Sequence, residues 1–142
     1  MGSGNVIKRF LALYENLDSS NVDGLADIYD SNVQFIDAIH EISGIEGLKV
    51  YFEHLYHNIK QCDFDIKNII EGESESSIFW VMHFSHPKIS NGKVIAVDGC
   101  SHIKYQDKIY YHRDYFDVGQ MLYEHLPLFG GAVRFIKRQI SQ

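Results

Sequence analysis

The sequence predicts an α+β fold in which helices near the N-terminus pack against a strongly curved antiparallel sheet, so that the two form a cone, with an extra helix at the C-terminus. Two observations lead to this prediction. Apolar residues recur at helical spacing through much of the first 60 residues, whereas residues 64–117 alternate or run in β-branched and aromatic segments. The chain of 142 residues is 45% hydrophobic and 23% charged, which suits one compact domain. We expect a single domain over residues 1–142, with a core at 5–118 and a C-terminal helical extension at 119–142.

Three helices are predicted before the sheet, and one after it. Apolar residues three and four apart predict an amphipathic helix over residues 5–18. Capping-box patterns that begin at Ser20 and at Ser43 predict a shorter helix ending near Tyr29 and a longer one running to about Lys60. A final amphipathic helix follows Gly130-Gly131; its apolar side is Val133, Ile136 and Ile140, and its basic side is Arg134, Lys137 and Arg138.

One short strand, residues 33–38, is predicted between the helices, and four more follow them. The later segments, 64–70, 77–85, 93–105 and 108–117, are separated by short polar breaks, which is typical of an antiparallel meander. Asn91-Gly92 favours a two-residue hairpin turn, and Gln106-Asp107 marks the next reversal. If both loops have two residues, Ser101 lies opposite His112, Gly99 opposite Asp114 and Ile103 opposite Tyr110.

The last of these strands carries the residues most typical of a functional site. Alternation places Tyr110, His112, Asp114 and Phe116 on one face of the sheet, together with Trp80, Met82 and Phe84 of a neighbouring strand. We expect this face to line a pocket, in which Gly99 leaves space beside the Asp114 carboxylate. The other face carries polar and aromatic side chains that suit solvent or a homodimer interface, namely Arg113, Tyr111, Tyr115, His102 and Asp98.

Charge and cysteine content restrict the partners. A net charge of −6 argues against nucleic acid as the main partner. Cys62 and Cys100 have no metal or redox spacing and predict free thiols in a reducing, cytoplasmic compartment. No segment has the pattern of a secretory signal or the length of a membrane span, so no membrane partner is expected. The histidine pairs at 54/57 and 83/86 lack further ligands, and no cofactor motif is present, so neither a metal nor a cofactor is predicted.

Specific residues carry a resemblance to a known family. The order of elements, the aspartate Asp37 at the end of the first strand, the segment 97–101 and above all His112-Arg113-Asp114-Tyr115-Phe116-Asp117 resemble SnoaL-like members of the nuclear-transport-factor-2-like superfamily, also described as a cystatin-like roll. The tail 121–127 is similar to one bacterial branch of that group. The superfamily includes ketosteroid isomerases, polyketide cyclases, limonene epoxide hydrolases, scytalone dehydratases and non-catalytic proteins, so the resemblance implies the fold and leaves the function open.

The resemblance implies roles for some residues and excludes others. Asp37 matches the general base of the isomerases, but their oxyanion-hole tyrosine matches Leu13, one residue from Tyr14, and their protonated aspartate matches Ser101. Asp114 matches the acid of the epoxide hydrolases, whose Arg-x-Asp pair is absent around residues 79–83. His83 replaces it only if the strand register slips by one. The cyclases require only an acidic residue that acts as acid or base in an aldol step, and His112, Asp114 and Asp37 could supply it.

The sequence thus predicts a pocket for a compact apolar molecule, with Asp37, Asp114 and His112 as acid and base groups of an isomerase, cyclase, dehydratase or hydrolase. The predicted substrate-binding residues are Tyr14, Phe35, Phe52, Trp80, Met82, Gly99, Ser101, Ile103, Tyr110 and Phe116. Two alternatives remain open. The same pocket binds a ligand without turnover, or the fold is a dimeric interaction module with a filled core and Asp114 is a buried acid satisfied by hydrogen bonds.

Overall fold

A computed structural model describes residues 3–59, 61–121 and 129–141 of the chain. Helix α1 (Ser3–Asn16) and a 3₁₀ helix (Val22–Asp27) lead into strand β1 (Tyr29–Ile36). Strand β2 (Glu41–Ser43) and helix α2 (Ile45–Asn58) follow. The rest consists of β3 (Gln61–Glu71), β4 (Glu75–Ser85), a 3₁₀ turn (Ser90–Gly92), β5 (Ile95–Tyr105), β6 (Ile109–Phe116), α3 (Val118–Met121) and α4 (Phe129–Ile140).

The predicted helices are present, but they do not begin as the capping patterns suggested. The residue that precedes α2 is Gly44, whose φ of 87° is in the left-handed region that favours glycine. Ser43 donates its hydroxyl to Gln34 on the neighbouring strand instead of capping the helix. Ser20 similarly donates to Asp18, and no side chain caps the 3₁₀ helix. The capping-box predictions were therefore wrong, because local turn contacts use both serine hydroxyls.

Six strands form one sheet in the order β2-β1-β6-β5-β4-β3. Strands β3 to β6 make the predicted antiparallel meander. Strand β1 begins at Tyr29, four residues before the predicted start, and pairs in parallel with β6, which makes the sheet mixed. This parallel pair matters for the site because it places Phe35 beside His112.

The strand register differs from the predicted one by two residues. Ser101 lies opposite Asp114, Ile103 opposite His112 and Gly99 opposite Phe116, because the loop between β5 and β6 has three residues with an irregularity before it. Asn91 and Gly92 have the expected positive φ angles of 56° and 77°, but they belong to the longer connection 86–94 and not to a tight hairpin. A shift of two residues preserves the faces, so His112, Asp114 and Phe116 lie on the predicted side.

Tyr110 is the exception on this strand. The irregularity at the start of β6 buries Ile109 beside Tyr105, so the next two side chains both point outward. Tyr110 is 42% exposed and lies outside the cavity, so its prediction as a substrate-binding residue was wrong. Simple alternation fails here because the strand contains an extra residue.

Gly99 also has a different role from the predicted one. It pairs with Trp80 on β4, and a Cβ atom at position 99 would lie within 2.7 Å of three atoms of the Trp80 indole. The space above Gly99 is therefore filled by this ring and is not open beside Asp114. The structure contradicts the prediction of Gly99 as a ligand-binding position and shows that it accommodates a buried tryptophan.

The core lies between the helices and the inner face of the sheet. Its centre includes Phe10 of α1, Leu48 and Phe52 of α2, and Val33 and Phe35 of β1. In contrast, the described side chains of α4 are exposed, and Ile140, predicted on the apolar side of this helix, is 78% exposed. The tail segment 122–127 and the side chain of Val133 lie outside the described residues.

We expect Gly99→Ala to lower the free energy of unfolding by about 1–3 kcal/mol, because the added methyl group must displace a packed indole. Urea unfolding measures the change. Gly24→Ala is the matched control, since its Cβ would meet Leu13 at 3.5 Å, an ordinary contact. Equal stability of the Gly99 variant and wild type would contradict this account of the glycine.

Candidate active site

Two adjoining cavities lie between the helices and the inner face of the sheet. The polar cavity, about 320 Å³, lies between α1, β3 and the centre of the sheet and includes Ser101 and His112 in its wall. The apolar cavity, about 390 Å³, extends from there towards α2 and α3. Both walls share Tyr14, Cys62, Phe64, Trp80 and Asp114. Asp114 is therefore the one carboxylate, among the described residues, that borders both cavities.

Asp114 is held by two donors on the inner face of the sheet. Ser101, directly opposite on β5, donates its hydroxyl to Asp114 Oδ1 over 2.5 Å. His112 Nε2, two residues earlier on β6, lies 2.6 Å from the same oxygen. Since an ionised carboxylate accepts only, this imidazole nitrogen carries the proton. Oδ2 receives no hydrogen bond from the described residues, and the side chain is 21% exposed.

His112 continues the network away from Asp114. Its side chain is 1% exposed, and its ring lies 4.6 Å from that of Phe35, so it is largely shielded from bulk solvent. Nδ1 lies 2.7 Å from the hydroxyl of Tyr29, which in turn lies 2.7 Å from the hydroxyl of Tyr14. A continuous path of hydrogen bonds therefore joins the Asp114 carboxylate to the Tyr14 hydroxyl.

The direction of these hydrogen bonds depends on the protonation of His112. With a neutral imidazole, Tyr29 donates to Nδ1 and Tyr14 donates to Tyr29. With an imidazolium, Nδ1 donates to Tyr29, Tyr29 donates to Tyr14, and the Tyr14 proton is free to point into the cavities. Burial raises the pKa of Tyr14 and of Tyr29, with Asp114 adding to both effects, so both remain hydroxyl groups at neutral pH.

Trp80 and Ser101 complete the wall beside Asp114. The indole nitrogen of Trp80 donates to Ser101 Oγ over 2.9 Å, which directs the serine proton to the carboxylate. Trp80 stands nearly perpendicular to Phe64, at an interplanar angle of 87°. The position of the indole is thus fixed both by its hydrogen bond to Ser101 and by its packing against Gly99.

Asp37, the second predicted acid, is in a different environment. It follows β1, its side chain is 6% exposed, and it lies in the wall of the apolar cavity. Oδ1 accepts hydrogen bonds from the backbone amides of Ile39 and His40 at 2.8 and 2.7 Å, and Oδ2 accepts one from Tyr51 at 2.5 Å. Both oxygens are therefore occupied, and the carboxylate closes the turn between β1 and β2. Burial, followed by the hydrogen bond to Asp37, raises the pKa of Tyr51.

The other predicted binding residues divide between the two cavities and the core. Phe35, Phe52, Met82 and Phe116 line the apolar cavity. Ile103 is fully buried and lies in neither wall, so it belongs to the core and its prediction as a binding residue was wrong. His83 also lies in neither wall, which shows that Trp80 and Met82 face inward.

Several site residues were not identified from the sequence. Tyr29 was treated as a helix end, although it is the middle of the hydrogen-bond path. Phe64 of β3 and Tyr51 and Tyr56 of α2 also line the cavities. An aromatic series on one face of α2 was the available signal for Tyr51 and Tyr56, whereas nothing local distinguishes Tyr29.

Cys62 lies where the two cavities meet, but it does not have the properties of a nucleophile. Burial raises the pKa of its thiol to about 12, and neighbouring Asp63 adds to the effect. The thiol is therefore protonated near neutral pH, and it serves as a small apolar part of the wall. Within the described residues, no three His, Cys, Asp or Glu side chains come together as a metal site, and no helix is long and apolar enough to span a membrane.

Several solved structures share this architecture. One neighbour is a candidate SnoaL-like polyketide cyclase from Shewanella putrefaciens CN-32, with a TM-score of 0.70, 17% identity and coverage of 82% of this chain and 93% of that chain. Another, from Catenulispora acidiphila DSM 44928, has a ketosteroid isomerase-like fold and was solved in complex with trimethylamine; its TM-score is 0.71, its identity 13%, and coverage is 88% and 92%. An NTF2-like protein of unknown function from Burkholderia pseudomallei K96243 has a TM-score of 0.72, 13% identity and coverage of 82% and 94%.

At these identities the neighbours show the fold alone, and they confirm the predicted cone-shaped α+β fold. No curated protein matches the chain significantly. The model of the SnoaL-like domain matches residues 10–112, which is more than half of the chain. The protein therefore belongs to the family of SnoaL-like domains.

Proposed function

We propose that the protein is an acid–base enzyme that moves a proton on a compact, largely apolar substrate, with Asp114 as the group that touches the reacting atom. The observation that carries the proposal is the arrangement of Asp114: one oxygen is held by Ser101 and His112, and the other has no protein donor among the described residues. A general acid or base needs this combination of fixed position and an available lone pair.

The hydrogen-bond path supplies the second half of the reaction. With His112 as an imidazolium, Asp114 Oδ2 accepts the proton from the substrate while His112 Nδ1 donates to Tyr29 and Tyr29 donates to Tyr14. Tyr14, at the other end of the path, lies in the wall of both cavities and can donate a hydrogen bond to an oxygen that becomes negative. Tyr14 thus takes the place of an oxyanion donor, although the resemblance to the isomerases matched their tyrosine to Leu13. The geometry supports the isomerase, cyclase and dehydratase classes of chemistry.

Asp37 has a supporting role in this proposal. Its carboxylate already accepts three hydrogen bonds, so an incoming substrate must compete with donors that also close a turn. We therefore assign Asp37 to positioning Tyr51 in the wall of the apolar cavity, and we assign the proton transfer to Asp114 and His112.

The homodimer predicted from the sequence also belongs to the proposal. The outer sheet face exposes Tyr115 and Tyr110 of β6, together with Phe79 of β4, from which β6 is separated by β5. Arg113 lies over the Tyr115 ring at 4.8 Å, and acidic Asp98 lies on the same face. Apolar rings together with both signs of charge suit a surface that pairs with a second copy of itself. The cytoplasmic location stays a prediction, which rests on the two free thiols.

Exchange of carbon-bound hydrogen tests the acid–base role without knowledge of the natural substrate. Small cyclic ketones and β-keto esters are incubated with the protein in D₂O, and deuterium incorporation is followed by NMR. We expect Asp114→Asn to slow the enzyme-dependent exchange by about 100-fold or more, because one positioned acid or base contributes about that factor. Asp65→Asn, an exposed acid paired with Lys67, is the matched control. Exchange that persists in the double variant Asp37→Asn/Asp114→Asn would refute the proposal, and binding without exchange in wild type would favour a ligand-binding protein.

Tyr29→Phe tests the hydrogen-bond path. Loss of this hydroxyl leaves His112 Nδ1 and the Tyr14 hydroxyl without their partner, so we expect the free energy of unfolding to fall by about 1–3 kcal/mol. We also expect the exchange rate at saturation to fall while KM changes little, because Tyr29 lies in neither cavity wall. Urea unfolding and the exchange assay measure the two effects. Tyr115→Phe is the control on the outer face, and an unchanged rate in Tyr29→Phe would argue against the path.

Sedimentation velocity tests the dimer. We expect the wild type to sediment as a dimer at micromolar concentration and Tyr115→Asp to sediment as a monomer, because the substitution puts a new carboxylate on the outer face in place of a ring that is 49% exposed. Val50→Asp, at an exposed position on α2, is the control and should remain dimeric. A monomeric wild type would contradict this part of the proposal.

A further inference from the structure

Apart from histidines, the charged side chains that the structure describes in the walls of the two cavities are all carboxylates. Four carboxylates lie in their walls: Glu15, Asp63 and Asp114 in the polar cavity, and Asp37 together with Asp114 in the apolar cavity. No lysine or arginine among the described residues lies in either wall. The nearest cations on β5 and β6 point away, since Lys104 and Arg113 lie over the Tyr111 and Tyr115 rings of the outer face.

This charge distribution restricts the ligand. A carboxylate or phosphate of a bound molecule would lose its water and meet only like charges, apart from any histidine that becomes protonated. A cation would meet opposite charges in a partly dehydrated space, where electrostatic interactions are stronger than in bulk water. The cavities are therefore unfavourable for anionic molecules and favourable for neutral or cationic ones.

The aromatic residues beside Asp114 make a positive charge more favourable still. Tyr14, Phe64 and Trp80 border both cavities, as Asp114 does. Phe64 stands nearly perpendicular to the other two, at 83° to Tyr14 and 87° to Trp80, so these rings form adjacent walls at the junction. Aromatic walls of this kind attract alkylated ammonium groups through the negative faces of the rings.

Asp114 provides the counter-charge for such a group. Its Oδ2 has no donor among the described residues, and its Oδ1 is held by Ser101 and His112. We propose that the junction of the two cavities binds an organic cation, a compact apolar molecule with an alkylated, positively charged nitrogen that lies against Asp114 and the three rings. The inference rests on the proposed function, because it names the charge class of the substrate for the same site.

Binding of an organic cation is chemically compatible with acid–base chemistry at the same carboxylate. A positive nitrogen increases the acidity of the hydrogens on its neighbouring carbon atoms, so it lowers the barrier to removal of a proton by a carboxylate. The aliphatic and aromatic residues of the apolar cavity, such as Leu55, Met82 and Phe116, accommodate the uncharged part of the molecule. The nitrogen then lies at the junction, and the apolar part extends towards α2.

Three probes of the same shape and different charge test the inference: choline, its neutral analogue 3,3-dimethyl-1-butanol, and the anion 3,3-dimethylbutanoate. Trp80 is the single tryptophan of the chain and lies in both walls, so its fluorescence reports binding directly. We expect choline to bind at least about tenfold more tightly than the neutral analogue, and the anion to bind most weakly. Equal or tighter binding of either analogue, or no binding of choline, overturns the inference.

Two variants separate the charge from the rings. Asp114→Asn keeps the shape of the side chain, and we expect it to remove most of the preference for choline over the neutral analogue. Phe64→Leu removes one aromatic wall without changing a charge, and we expect it to reduce the same preference by about threefold or more. Asp65→Asn changes the net charge as Asp114→Asn does, and it should leave the preference unchanged. A preference that survives both site variants overturns the inference.

The binding experiment and the exchange experiment can fail independently. Asp114-dependent exchange without a preference for choline overturns the charge assignment and leaves the acid–base function intact. A preference for choline that depends on Asp114 and Phe64, without exchange of any ketone, supports the cation site and contradicts the enzymatic role.

Discussion

The structure of the site depends on one requirement, that a carboxylate placed between helices and sheet must have hydrogen-bond donors. The strand register supplies them to Asp114, because Ser101 lies directly opposite and His112 lies two residues earlier on the same face. His112 is itself buried and needs a second partner, which Tyr29 provides from the parallel neighbour of β6. Each group provides a hydrogen-bond partner for the next one, and this series of hydrogen bonds ends at the Tyr14 hydroxyl in the wall of the cavities. The mixed sheet and the arrangement of side chains around Asp114 therefore follow from one hydrogen-bond requirement.

The second constraint is the pairing of a glycine with the only tryptophan. Gly99 allows the Trp80 indole to lie flat enough on the sheet to reach Ser101 with its ring nitrogen. A larger residue at 99 would push the ring towards the cavities and fill the space beside Asp114. The open volume thus depends on a side chain that is missing under the Trp80 indole and not beside Asp114. This is an indirect way for a glycine to create a pocket.

The fold and the face of most predicted site residues could be read from the sequence, because both depend on the periodicity of apolar residues, which an error of two residues in strand register does not change. The predicted register was two residues off, yet His112, Asp114, Trp80 and Met82 kept their side of the sheet since an even shift preserves alternation. Tyr110 was misplaced because a single extra residue at the start of β6 reverses the pattern, and no local signal marks it. Tyr29 was missed for another reason. Its role arises from a parallel contact with β6, which lies some 80 positions away in the chain, and local patterns contain no information about such a pair.

Asp37 and Asp114 show why burial and proximity to a cavity do not by themselves identify a catalytic acid. Both aspartates are at least partly buried, both border the apolar cavity, and the family resemblance points to both. They differ in the number of oxygen lone pairs that the protein already uses. Asp37 has donors on both oxygens, two of them from a backbone turn that cannot withdraw without unfolding locally. Asp114 has both of its donors on one oxygen, which fixes its position and leaves the other oxygen for a proton or a positive charge. The distribution of donors between the two oxygens, and not their total number, therefore distinguishes an acid that supports the fold from one that can act on a ligand.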